Sequence, residues 1–397
     1  MTDFDDIRPY NADEIPAAMQ RMADSEVIPA IAQYLGVPVE ALHERIRSIK
    51  TLREFQLGLL KEVLETLFKK TTTCFDWSGL ENISEKKPYL FVSNHRDIVL
   101  DAMFLQYVLN EAGQNTCQIT FGSNLMCHPF VIDFGKVNKM FRTERGGTPK
   151  EFYNSMLHMS EYMRHVITEE HESVWIAQRN GRTKNGIDAT DPAIIKMFGM
   201  SRRDDRVISL AELNIVPVVV SYEWESCDKL KTLELYLTHK NGHYEKQPGE
   251  DLNSILTGIM QPKGHVHFHI CPQVTEDDLK ALNDCPSGEF YKRVAELMDS
   301  RINPHFYLHP NNYIAHDLRS GTNRYAEHYT AEQKSAFMKY MDWMNDYPDF
   351  DRLELEEIFL GIYANPVVCR DGAVMSLQTK IQLKPPYSKK SLYLPQQ

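Results

Sequence analysis

Short apolar runs constrain this chain most: "YLFVS" (89–93), "CQITFG" (117–122), "SVWIA" (173–177), "VPVVVSY" (216–222) and "LELYL" (233–237), with "HVHFHI" (265–270) as a further candidate. A strand that is apolar along its length, rather than at every second residue, is covered on both faces, and the helical stretches between the runs supply that cover. The expectation is an α/β fold, a mainly parallel sheet flanked by helices, over residues 86–300. Residues 1–85 read as an N-terminal helical region with apolar residues at three- and four-residue spacing, punctuated by Pro38 and by Thr71, Thr72 and Thr73. Residues 301–397 read as a C-terminal extension packed on the same domain, containing the helical stretch "TAEQKSAFMKYMDWMN" and ending in a loosely held tail, "KIQLKPPYSKKSLYLPQQ".

Composition narrows the function classes. The net charge of −11 argues against nonspecific nucleic-acid binding. No run reaches the roughly 18 uninterrupted apolar residues of a spanning helix. The polar, acidic start "MTDFDDIRPYNADE" is unlike a secretory signal, and the seven cysteines are scattered singly, so a reducing cytoplasm is expected. The charge is uneven. Residues 135–206 hold 13 Lys and Arg against 10 Asp and Glu, which leaves −14 on the remainder. A locally basic stretch in an acidic protein points to an anionic ligand such as a phosphate.

Three loops after candidate strands carry chemistry. In "SNHRDIVLD", His95 sits in a strand-to-helix turn, where a general base can be presented at a sheet's carboxyl edge. Two acids could hold its imidazole in one tautomer. Asp97 is placed to cap the following helix, and Asp101, one turn inside, projects back toward the helix start. In "GKVNKMFRTERGG", Arg142 and Arg145 precede a Gly pair, and in "QRNGRTK" the residues Asn180, Gly181, Arg182 and Lys184 follow a strand. Arginines beside glycines suit bidentate phosphate recognition at close backbone approach. His265, His267 and His269 share one strand face, but same-face side chains lie about 7 Å apart. Only Cys271, on that same face, follows at ligand spacing, so no metal and no other cofactor is expected.

The ordered set Asn94-His95…Asp101, the Arg142 block, the Gly181-Arg182 block and the Val216-Pro217 strand resembles the glycerolipid acyltransferase family, over about Pro88 to Tyr222. The resemblance implies that His95 deprotonates an acceptor hydroxyl, that the Asp of the first block orients it, and that the hydroxyl attacks the thioester of acyl-CoA or acyl carrier protein. It places Asn94, Arg142 or Arg145, Asn180, Gly181, Arg182 and Lys184 in substrate binding, with residues 216–220 helping to wall the acyl chain. A phosphate-bearing acceptor, glycerol phosphate or a lysophospholipid, and a peripheral position on the inner face of the cell membrane follow as expectations. Two departures stand out. Five residues rather than the usual four separate His95 from Asp101, and Asn180 stands where the family usually has Glu. The second motivates a rival, a noncatalytic acyl-chain or phospholipid binder on the same fold.

Overall fold

The computed structural model describes residues 4–371 except 127 and 145. Seven strands form one sheet: β1 (Thr72–Ser78), β2 (Leu90–Ser93), β3 (Gln118–Gly122), β4 (Met140–Thr143), β5 (Val174–Ala177), β6 (Ile215–Tyr222) and β7 (Gly264–Ile270). Their order is β1-β7-β6-β2-β5-β3-β4, and every pairing is parallel except β6 with β7. β2 is central, with Ser93 opposite Ala177 on one side and Val218 on the other.

Alternate residues of the central strands feed two cores. Phe91, Trp175, Val216 and Val218 face a cluster with the N-terminal helices and the helices Leu100–Glu111 and Pro129–Val137. Leu90, Val92, Val174 and Ile176 face a second cluster with the helices Pro149–Thr168, Pro192–Phe198 and Ser287–Ile302. Both faces are thus covered, which is why these strands read as unbroken apolar runs. The helices before residue 72 bury Ala18, Met19 and Met22. Among the described residues no helix is long and apolar enough to cross a membrane.

Three elements differ from expectation. "LELYL" is not a strand: it lies inside the helix Asp228–Asn241, where Tyr236 is buried and Leu233, Leu235 and Leu237 pack against the helices of the C-terminal extension. Its leucines alternate with Glu234 and Tyr236 as in a strand, but five residues are too short to settle a period, and tertiary packing decided it. β1 takes in Thr72 and Thr73, which read as punctuation, and it is one of the sheet's two edge strands, β4 being the other. β4 is four residues inside the basic block. In the extension, a helix (Ala331–Tyr340) and a 3₁₀ turn (Met341–Asp346) occupy the expected helical stretch; residues 380–397 lie outside the described residues.

Asp299 pins the loop after β5 to the helix Ser287–Ile302, accepting from the backbone N–H (2.9 Å) and hydroxyl (2.6 Å) of Thr190. Burial pushes its carboxyl up to about 7. The folded chain therefore holds this proton where the unfolded chain has lost it. The associated stability is complete below about pH 4 and is lost as pH rises through 7. Asp299→Asn keeps an acceptor for Thr190 and does not titrate. Relative to wild type it should gain on the order of 2 to 4 kcal/mol between pH 4 and pH 8, read from urea midpoints at the two pH values.

Candidate active site

β2 ends at Ser93, and the next three residues are spent on holding a turn together. Asn94 is fully buried; its amide donates to Asp188 (3.0 Å) and Val220 O (3.0 Å) and accepts from Val220 N–H (2.9 Å), tying the turn to β6. That overturns the expectation that Asn94 contacts substrate, since no polar atom of it is left over.

His95 Nδ1 lies 3.0 Å from Asp101 Oδ2, and the same oxygen accepts the backbone N–H groups of Arg96 (2.6 Å) and Asp97 (2.9 Å). Asp101 Oδ1 accepts from the Tyr222 hydroxyl at 2.8 Å. Burial, with Asp101 beside it, holds that phenol well above its ordinary pKa, so it stays a donor. An oxygen that already accepts two main-chain N–H groups carries no proton, so Nδ1 donates and the lone pair of the neutral imidazole is on Nε2. The longer gap between His95 and Asp101 is closed by these two N–H groups, which the carboxylate draws in. Asp97 is engaged elsewhere. Its Oδ1 accepts from Val99 N–H (2.9 Å) and Leu100 N–H (2.8 Å) at the helix entry, and its Oδ2 accepts from Ser226.

Beneath the turn lies a buried ionic network. Arg96 is 1% exposed and donates to Asp188 (2.6 and 3.1 Å) and Glu225 (3.2 Å), with Phe306 stacked on its guanidinium. Lys231 joins Glu225 (2.6 Å) to the Arg96 carbonyl (2.8 Å). Asp188 also accepts from the Thr183 hydroxyl (2.7 Å), and Thr183 N–H donates to the His95 carbonyl (2.7 Å). The loop after β5 is thereby laid across the His95 turn. Gly186, at φ +78°, is required there, because a Cβ would run into the carbonyl of Ile362.

His95 opens onto a groove of about 310 Å³. One wall is apolar: Ile98, Val99, Ala102, Phe121, Leu125, Met140 and Trp175, whose indole meets the imidazole edge-on at 5.9 Å. The other is the loop of Arg179, Asn180, Gly181, Arg182 and Lys184. Arg182 Nη1 is buried and makes no hydrogen bond among the described residues. Lys184 is paired with Glu234. Gly181 is left-handed (φ +74°) with open space above it. Arg179 lines this groove and also an adjoining cavity of about 1290 Å³ that holds Lys196, Arg202, Arg203 and Arg206.

Two further expectations are corrected. Arg142 does not line the groove; it sits on the edge strand β4, bonded through Nε to Glu144 at 2.6 Å. Residues 216–220 are sheet core rather than groove wall. Arg145 lies outside the described residues. Residues that sequence reasoning did not assign to the site, Arg96, Tyr222, Asp188 and Glu225, do much of the positioning. Only Arg96 and Tyr222 carried a local signal, being adjacent to His95 and at the end of the Val-Pro strand.

The Acyltransferase family model matches residues 74–221. No curated protein matches the chain. Among solved structures it is similar to the 1-acyl-sn-glycerophosphate (LPA) acyltransferase PlsC from Thermotoga maritima, over 72% of this chain and 91% of that one, at 13% identity and a TM-score of 0.35, a likeness too slight to carry weight. The matched segment contains the His95 turn, the central strands and the cationic loop, so residues 74–221 of the chain carry an acyltransferase domain.

Proposed function

We propose that the protein moves a fatty acyl group from acyl-CoA or acyl carrier protein to a hydroxyl of a phosphate-bearing glycerol acceptor, glycerol phosphate or a lysophospholipid. The observation that carries this reading is the position of His95, its Nδ1 held by Asp101, at the end of a groove with one apolar wall and one arginine-bearing wall. The acceptor hydroxyl gives its proton to Nε2 as its oxygen forms a bond to the thioester carbonyl. The tetrahedral species collapses, the carbon–sulfur bond breaks, and the departing sulfur takes the proton from Nε2. No acyl-enzyme is needed. Arg179 and Arg182 take the acceptor phosphate, and Arg182 Nη1, buried without a hydrogen-bond partner among the described residues, supports that role. The apolar wall takes the acyl chain.

Action at a membrane surface fits a stripe of Leu252, Leu256 and Met260, 48–59% exposed at four-residue spacing on the helix Glu250–Met260. That helix includes Asp251 at the groove's rim. A cytoplasmic, membrane-peripheral enzyme is the corresponding proposal.

Thiol release from acyl-CoA and from acyl carrier protein, with glycerol 3-phosphate, lysophosphatidate or unphosphorylated glycerol as acceptor, tests the reading. The phosphorylated acceptors should stimulate release and glycerol should not. Release that no acceptor stimulates would remove the proposal. Arg182→Ala should raise the acceptor KM roughly 10- to 100-fold with little change in kcat, the cost of one charged hydrogen-bond set.

A further inference from the structure

The histidine strand β7 lacked partners in the sequence because its neighbour β1 did not read as a strand. The two are adjacent and parallel, with Cys74 opposite His265 and Asp76 opposite His267. Residues two apart share a face, so a thiol, a carboxyl and two imidazoles occupy the corners of a rectangle about 4.8 by 7 Å. We infer that Cys74, Asp76, His265 and His267 bind one transition-metal dication of the zinc type, which clips the edge strand β1 to β7.

The spacing is close to what an ion needs. The ligand atoms of Cys74, Asp76 and His265 lie within 4.8 Å of one another. Asp76 Oδ1 is 2.5 Å from His267 Nδ1 and 3.1 Å from His265 Nε2. Tetrahedral zinc, with bonds of about 2.0 to 2.3 Å, sets its ligand atoms roughly 3.3 to 3.6 Å apart, a difference that side-chain torsions absorb. His265 Nε2 is buried and, although it lies 3.1 Å from that carboxylate oxygen, makes no well-aligned hydrogen bond among the described residues. One carboxylate oxygen thus faces two ring nitrogens, which can share it as two N–H donors or as two ligands of one cation.

The surroundings resemble those of a metal ligand. The Ser78 hydroxyl, next along β1, bonds His267 Nε2 at 3.0 Å and His269 Nδ1 at 2.8 Å, which fixes the His267 ring and presents its Nδ1 to Asp76. Tyr307 covers both rings, at 4.9 Å from His265 and 5.2 Å from His267. A set of sulfur, nitrogen and one oxygen favours zinc or cobalt over magnesium or calcium. His269, Cys271 and His305 also converge. The Cys271 thiol, however, is fully buried, donates to the Arg301 carbonyl and is pushed up to about 12, so it is the poorer thiolate.

Cobalt titration of the untagged full-length protein should give visible d–d bands and a thiolate-to-cobalt charge-transfer band, both bleached by one equivalent of zinc. Cys74→Ser should lose the charge-transfer band and keep the d–d bands. His267→Ala should weaken zinc by more than about 100-fold, beyond what loss of a mere outer partner costs. Zinc should raise the melting temperature of wild type and not of this variant. If His267→Ala does not fold, Asp76→Asn, on a half-exposed side chain, takes its place with the same expectation. Absence of one-to-one zinc in wild type, a cobalt spectrum unchanged in Cys74→Ser, or zinc affinity unchanged in the folded second variant would each overturn the site.

Discussion

His95→Ala should lower kcat by about 10² to 10⁴-fold, the range a positioned general base supplies, with a near-wild-type unfolding midpoint. The imidazole faces the groove and bonds within the chain through Nδ1 to Asp101, so its loss removes the base and few structural contacts. Asp101→Asn should cost kcat almost as much by another route. The carboxylate accepts four donors, the His95 ring, two backbone N–H groups and the Tyr222 hydroxyl. An amide offers one acceptor oxygen and an NH₂ group. With the oxygen kept by the backbone, Tyr222 faces a donor; with the amide turned, the NH₂ confronts Nδ1, forces the proton to Nε2 and abolishes the base. Asp97→Asn is the contrast. It caps the helix entry, so the variant should lose about 1 kcal/mol of stability and leave kcat within a few fold. Steady-state kinetics and urea midpoints on the three variants decide it. Should Asp97→Asn lose the rate and Asp101→Asn keep it, the pairing is wrong.

The legible parts of this fold are those whose burial is uniform. β2, β3, β5, β6 and β7 lie under five of the apolar runs because each central strand is covered on both faces, and the alternation in "HVHFHI" reports one polar face. β1 was opaque because an edge strand with Cys74, Asp76 and Ser78 on its polar face has no apolar run to show. "LELYL" misled for the opposite reason, since its half-buried leucines belong to a helix that the C-terminal extension covers.

At the site, the turn that holds His95 could be read because strand, turn and helix are contiguous. Asp188 and Glu225 could not, being isolated acids in loops 92 and 129 residues from the arginine they hold. Their pairing exists only once β5 and β6 flank β2. Strand order also separates Arg142, which looked like the phosphate residue, from Arg179, which reached the groove. Both lie in basic stretches near strand ends, and only strand order distinguishes them: β4 is the outer edge, whereas β5 adjoins β2.

That network sets the largest expected stability effect. Arg96→Met should destabilise the protein by about 3 to 5 kcal/mol, because it fills the volume and leaves two buried carboxylates facing an apolar chain. Asp188 would retain Asn94 and Thr183 as donors and Glu225 would retain Lys231, but each loses its charge-assisted bonds to the guanidinium. Arg96→Lys should recover little, since one ammonium cannot span both acids as the planar fork does. Asp188 also carries Thr183 beneath the arginine loop, so Arg96→Met should raise the acceptor KM as well. The double variant Arg96→Met/Asp188→Asn separates the causes. If the cost is an uncompensated charge, removing that charge should restore part of the lost stability, giving a coupling of about 1 to 3 kcal/mol by urea denaturation. Strict additivity would instead assign the loss to packing against Phe306, 5.0 Å from the guanidinium.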